Sequence, residues 1–65
     1  MMPVHMKIGD LVKIKDEVMR AIHRPEQFPH LAEVGIVVGW DSYHPIVHYS
    51  IGPIRMAKGR LEVLR

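Results

Sequence analysis

A run of β-branched residues interrupted by two glycines occupies the centre of the chain, Val34-Gly35-Ile36-Val37-Val38-Gly39-Trp40. β-branched residues favour strands, and glycines disfavour a helix. The polar pair Asp41-Ser42 follows, and a second β-rich run, Ile46-Val47-His48-Tyr49-Ser50-Ile51, begins almost at once. The pattern predicts a β-hairpin in the middle of a 65-residue chain.

Shorter β-like segments lie on both sides of this hairpin. Leu11–Lys15 alternates apolar and lysine residues, which predicts a strand with Val12 and Ile14 on the covered face. After a turn at Gly52-Pro53, Ile54–Ala57 is predicted as the fourth strand and Leu61–Leu64 as the fifth. The few residues between them suit a single 3₁₀ turn.

The central strand carries two further predictions. Its alternation puts Ile36, Val38 and Trp40 on one face and Val37 on the other. Glycines inside a strand indicate a bulge or a sharp bend. The hairpin connection is predicted over residues 41–45.

Residues 16–33 form a long connection between the first two strands. Asp16 is predicted to cap a short helical turn over Glu17–His23, and Pro25 ends it. Phe28 and Leu31 are predicted to anchor this connection on the sheet. A connection this long in so small a domain is either functional or a packing lid.

Size and composition exclude several classes of protein. A chain of 65 residues forms one domain with a small core, and it has no cysteine for a disulfide or a thiolate. No apolar stretch approaches the ~20 residues that span a bilayer. The N-terminus lacks the features of a signal peptide, so a soluble, intracellular protein without membrane contact is expected.

The small positive charge is unevenly distributed. The formal net charge is +2, and the sequence pI is about 9.3. Basic residues concentrate towards both ends of the chain, which predicts a basic face where the ends meet. Its members are Lys13, Lys15, Arg55, Lys58, Arg60 and Arg65.

Five short strands, a long first connection and a one-turn break before the last strand resemble the SH3-like barrel. The residues that carry the resemblance are Ile8–Lys15 with its Gly-Asp opening, Gly35–Trp40 with its Gly-Ile-Val centre, and Leu61–Leu64. They are similar to small SH3-like proteins of bacteriophages, most without an assigned role. The expected fold is an all-β, five-stranded SH3-like barrel over residues 7–65, preceded by a tail over residues 1–6. The resemblance says little about function, because this barrel hosts many unrelated activities.

One enzyme with this fold shares part of the pattern. The chain resembles type II dihydrofolate reductase in its opening and its centre, but that family carries Val-Gln-Ile-Tyr in the fourth strand. Here the matching stretch is Pro53-Ile54-Arg55-Met56, without the glutamine and the tyrosine. SH3-like subunits of photosystems and of ferredoxin–thioredoxin reductase share the opening too, and they are docking proteins, which favours a scaffold role.

No constellation of residues points to catalysis. The five histidines show no metal-ligand spacing, so surface positions are the simpler interpretation and a metal site, such as His23 with His30, the alternative. No carboxylate pair or nucleophilic triad is recognisable. We therefore expect no enzyme activity, no metal and no cofactor.

The function predicted from these observations is a non-enzymatic binding and assembly module that works through protein contacts or self-association, in the host cytoplasm or in a virion. The candidate interface residues are Met1, Met2, Val4, Met6, Phe28, Trp40 and Tyr43. For Trp40 the alternative is a plug at one end of the barrel. The alternative function is nucleic-acid binding through the basic face named above, with an exposed aromatic side chain for stacking.

Overall fold

Five antiparallel strands form one sheet in the order β4-β3-β2-β1-β5. The computed structural model of the protein describes residues 6–64. The strands are β1 Leu11–Ile14, β2 Gly35–Asp41, β3 His44–Tyr49, β4 Gly52–Arg55 and β5 Leu61–Val63. One helix, α1 Asp16–Ala21, and three 3₁₀ turns, Pro25–Gln27, Pro29–Ala32 and Lys58–Arg60, complete the described secondary structure.

The prediction of an all-β chain with five strands is confirmed, but the sheet is not closed into a barrel. β4 and β5 are its two edges, and no ladder joins them within residues 6–64. The 3₁₀ turn predicted before the last strand is confirmed at Lys58–Arg60. The predicted short helix is confirmed as well, but Asp16 is its first residue rather than its cap. Lys15 holds the cap position without a side-chain hydrogen bond.

The first hairpin turn is shorter than predicted, and the second lies earlier than predicted. Residues 42 and 43 alone connect β2 to β3, with Ser42 at a φ of 55°, so Pro45 belongs to the strand and is buried. The Pro45 carbonyl accepts a hydrogen bond from the Met56 N–H beyond the end of β4. The turn predicted at residues 52 and 53 is wrong. Gly52, at a φ of 118°, already begins β4.

The predicted irregularity in β2 is confirmed, and it overturns the predicted face of Trp40. The pairing shifts between Val37, opposite Val47, and Gly39, opposite Ile46. Val38 is therefore the extra residue of a β-bulge. One extra residue reverses the alternation, so Trp40 lies opposite the buried Pro45 and not on the face of Ile36.

The core lies on one face of the sheet, here called the inner face. Its buried side chains come from four strands and from the residue before the first turn: Met6, Val12, Ile14, Val37, Val47, Tyr49 and Leu61. Val18 and Met19 from α1 and Leu31 from the second 3₁₀ turn pack against them. The predicted anchoring role of Leu31 is thus confirmed, whereas Phe28 stays about half exposed.

Candidate functional site

Three surfaces of the described structure have features that suit binding. The first is the face of the sheet opposite the core, here called the outer face. Strand register aligns Leu11, Ile36, His48 and Pro53 in one row across β1, β2, β3 and β4. Residues directly opposite each other on paired strands share a face, so this row crosses the outer face from β1 to β4.

The outer face is apolar at its centre and uncovered. Leu11, Ile36 and Val38 are 44%, 45% and 47% exposed, while Ile46 is partly buried beside them. Monomeric proteins seldom leave large apolar side chains next to one another in water. Nothing within residues 6–64 covers this patch.

Charged side chains border the outer face and are largely paired with each other. At the β1–β5 end, the Lys13 ammonium lies 3.4 Å from a Glu62 carboxylate oxygen and 3.7 Å from one of Asp16. At the opposite end, the Arg55 guanidinium donates a hydrogen bond of 3.1 Å to the Asp41 carboxylate. Both signs of charge occur at both ends, so the face presents no single-sign field to a partner.

The second surface lies at the end of β2. The Lys58 ammonium is 6.0 Å from the centre of the Trp40 ring, at the outer limit of a cation–π contact. Trp40 remains partly exposed, and Tyr43 at the tip of the adjacent turn is almost fully exposed. The structure thus brings one predicted aromatic residue together with one predicted basic residue.

Phe28 lies apart from that pair, at the other end of β3. Its ring meets His30 edge-on, and His30 in turn meets Tyr49 edge-on at 5.7 Å between centroids. Phe28 thus lies near Tyr49, whereas Trp40 lies opposite Pro45. Tyr49 and Pro45 are four residues apart on β3, which corresponds to ~13 Å. The predicted interface aromatics therefore do not form one patch.

The Glu33 carboxylate binds the end of the long connection to Ser50, next to Tyr49. Glu33 accepts hydrogen bonds from the Ser50 hydroxyl at 2.8 Å and from the Ser50 N–H at 3.2 Å. These bonds, the hydroxyl first, lower the pKa of Glu33 below 4.5 because they favour its charged form; His30 adds a smaller contribution in the same direction. Burial, with a smaller effect of the Glu33 charge, raises the pKa of Tyr49 above 10.0. The Tyr49 hydroxyl is buried without a hydrogen-bond partner in the described structure.

The third surface is an open groove of about 570 Å³ along β5. Met6, Leu61 and Val63 supply its apolar lining, and Lys15, Lys58, Gly59 and Glu62 supply the rest. Its volume falls within the range of ~300–1,000 Å³ that is usual for ligand sites. The groove is amphipathic, with two ammonium groups and one carboxylate next to apolar side chains.

The remaining predicted site residues are distributed as follows. Met1, Met2, Val4 and Arg65 lie outside the described residues. Met6, grouped with the tail by the sequence pattern, packs in the core and reaches the groove. Arg60 lines a smaller cleft with α1, so the basic residues separate into pairs with acids, the groove and this cleft. Within residues 6–64, Lys13 and Arg55 are paired with carboxylates, whereas Lys15 and Lys58 meet at the groove.

Two further searches, for metal-ligand clusters and for membrane-spanning helices, concern only the part of the chain that the structure describes. That part has no group of three or more histidines and carboxylates placed to hold a metal ion. Nor does it contain a helix long and apolar enough to cross a bilayer.

Sequence reasoning missed the outer face and the groove. The sequence did contain a signal for the outer face. A glycine within a strand marks the side where another backbone or side chain approaches closely. Gly35 and Val37 share that side, so Ile36 between them lies on the other one. A Cβ at Gly35 would overlap a Val47 methyl carbon. The groove had no such signal, since it depends on how Met6 and the Lys58–Arg60 turn come to lie beside β5.

In comparisons with known proteins, no family model, no curated protein and no solved structure matched this chain.

Proposed function

We propose that this chain is a non-enzymatic binding and assembly module, and that its outer face binds a second copy of the chain. The observation that carries the proposal is the uncovered apolar centre of that face, formed by Leu11, Ile36, Val38 and Ile46. Burying such side chains contributes about 25 cal/mol per Å² of apolar surface removed from water. Sheets of small β proteins commonly pack face to face in this way.

Electrostatics favour a second copy as the occupant. Lys13 pairs with Glu62, and Arg55 pairs with Asp41, so both borders of the face combine both signs. Two identical faces therefore meet without net repulsion, and a two-fold interface uses the same patch on both subunits. The core cluster has only seven members among the described residues, so association also adds burial that the small domain lacks.

Sedimentation velocity over a range of protein concentrations tests this proposal. We expect a reversible monomer–dimer equilibrium for the wild-type chain and a monomer for Ile36→Lys, which puts a charge at the centre of the face. Ile51→Lys is the matched control, because Ile51 is more exposed and lies in the β3–β4 turn. It is expected to associate like the wild type. A wild-type chain that stays monomeric at all soluble concentrations would refute the proposal.

Nucleic-acid binding is the second candidate, because Lys58 lies over the partly exposed Trp40. An aromatic ring beside a cation suits stacking with a base and contact with a phosphate of a single strand. Against it, Lys13 and Arg55 are already paired with carboxylates. The test is binding of a single-stranded oligonucleotide. It should weaken steeply with salt and on neutralising Arg55, Lys58 and Arg60, and salt-independent binding would exclude this function.

The relationship to SH3-like barrels remains part of this proposal. Two features support it: β2 pairs with β1 only through its first half but with β3 along its whole length, and a bulge separates the two parts. One strand that serves two halves of a bent sheet is the arrangement that a small barrel requires. Association with a phage or a virion, and residence in the host cytoplasm, are predictions of the resemblance alone.

A further inference from the structure

The free edge of the sheet at β5 lies directly beside the amphipathic groove, and this juxtaposition carries an inference separate from self-association. Leu61, Glu62 and Val63 form β5 and also line the groove. An extended segment that pairs with this edge would therefore place alternate side chains against the groove. Edge strands are the usual point at which sheets accept another chain.

The hydrogen-bond pattern shows which main-chain groups the edge presents. The Lys15 N–H donates to the Arg60 carbonyl, and the Leu64 N–H donates to the Leu11 carbonyl. Between these bonds Glu62 lies opposite Lys13, so the bonding groups of Glu62 face β1. Those of Val63 consequently point away from the sheet, and no strand lies beyond β5 in residues 6–64.

Charge in the groove selects among possible segments. Lys15 and Lys58 place two ammonium groups on the groove, whereas its one carboxylate among the lining residues, Glu62, lies 3.4 Å from the Lys13 ammonium. The groove therefore has surplus positive charge beside the apolar side chains of Met6, Leu61 and Val63. An anionic segment with alternating apolar residues matches both properties.

We propose that β5 and its groove bind an extended peptide in which acidic residues alternate with apolar ones, added to the sheet as a sixth strand. The peptide's main chain pairs with Val63, its apolar side chains enter the groove, and its carboxylates face Lys15 and Lys58. This goes beyond the proposed function, because it assigns a second surface and the chemistry of its partner. It does not require that the outer face self-associates.

The experiment titrates the full chain with a short synthetic peptide in which glutamate alternates with valine and leucine, followed by amide chemical shifts of the protein. Binding should shift the signals of residues 58–64 and Lys15, and not those of Ile36 and Val38 on β2. Shifts confined to the outer face, or no binding, would overturn the proposal. Sedimentation of the same sample reports self-association separately, so failure of one proposal is distinguishable from failure of the other.

Two controls separate charge from strand addition. Lys58→Glu should raise the Kd about threefold to tenfold, because one attraction becomes a repulsion. Arg24→Glu makes the same change of charge on the exposed connection and should leave the Kd unchanged. A peptide N-methylated on alternate amides of one edge keeps its charge but cannot pair along that edge. Strand addition would be overturned if both methylated peptides, one for each edge, bound as tightly as the unmethylated peptide. An unchanged Kd for Lys58→Glu would overturn the proposed recognition of acidic residues.

Discussion

The two faces of the sheet have similar apolar side chains, yet only one of them is covered. On β2, the inner Val37 is fully buried, whereas the neighbouring Val38 and Ile36 on the outer face are nearly half exposed. The inner face is covered by α1 and the long connection, through Val18, Met19 and Leu31. Hydrophobicity alone therefore does not decide which face becomes the core; the close approach that Gly35 permits and the cover that residues 16–33 supply do so.

The strongest test of this comparison truncates two adjacent valines. Val37→Ala removes atoms from a packed site and should lower the free energy of unfolding by about 2–3 kcal/mol. That is a large share of the ~3–5 kcal/mol expected for so small a core. Val38→Ala should change it by less than ~0.5 kcal/mol in the monomer, because its side chain is half in water already. Urea unfolding of both variants measures the difference, and equal losses would mean that the two faces are energetically alike.

A second test adds atoms in place of removing them. Gly35→Ala puts a methyl group where a Val47 methyl carbon and the Tyr49 ring, 3.0 Å away, leave no room. Overpacking of this kind costs about 1–3 kcal/mol. Gly39→Ala on the same strand is the control, since its Cβ would meet only Ile46 at an ordinary 3.9 Å.

The control should leave stability unchanged or raise it by up to ~1 kcal/mol, because alanine restricts the unfolded chain. Thermal unfolding followed by circular dichroism compares the two variants. If Gly35→Ala were as stable as Gly39→Ala, the close approach would not determine which face is buried.

The smallest expected effect concerns the hydrogen bonds between Glu33 and Ser50, which hold the long connection over the inner face. The pKa of Glu33 is lowered in the folded state by its bonds to Ser50. The stability that it contributes is therefore present above pH 4.5, the usual pKa, and is lost as the pH falls through the lower, folded-state value. Ser50→Ala removes the hydroxyl and should reduce this acid-dependent loss. The free energy of unfolding at a pH below the pKa of Glu33 should change little.

Urea unfolding between about pH 3 and pH 7, a range that spans the ordinary titration of carboxylates, checks the sign of this dependence. Glu26→Gln is the matched control, because Glu26 is exposed on the same connection. If Glu26→Gln lost as much acid dependence as Ser50→Ala, the bonds of Glu33 would not be what holds the connection.

The local sequence pattern was sufficient to predict the fold class and most of the strands and turns. The alternation in Leu11–Lys15, the hairpin around residues 42 and 43, and the 3₁₀ turn before β5 all follow from side-chain periodicity and turn chemistry. The exact turn at Ser50-Ile51 did not follow, because a glycine and a proline mark the position after it. Of the candidate site, the pattern identified Trp40 and Lys58 separately but not their contact.

What the sequence alone determined about this protein is an all-β chain with a bulged central strand, because the choice between strand and helix depends on neighbours a few residues apart. Tertiary structure decided the rest. The bulge at Val38 reversed the face of Trp40, since one extra residue changes every later position in a period of two. Pairing of β5 with β1 brought Lys15 to the Lys58–Arg60 turn and formed the groove. Such contacts join residues far apart in the chain, and no local pattern encodes them.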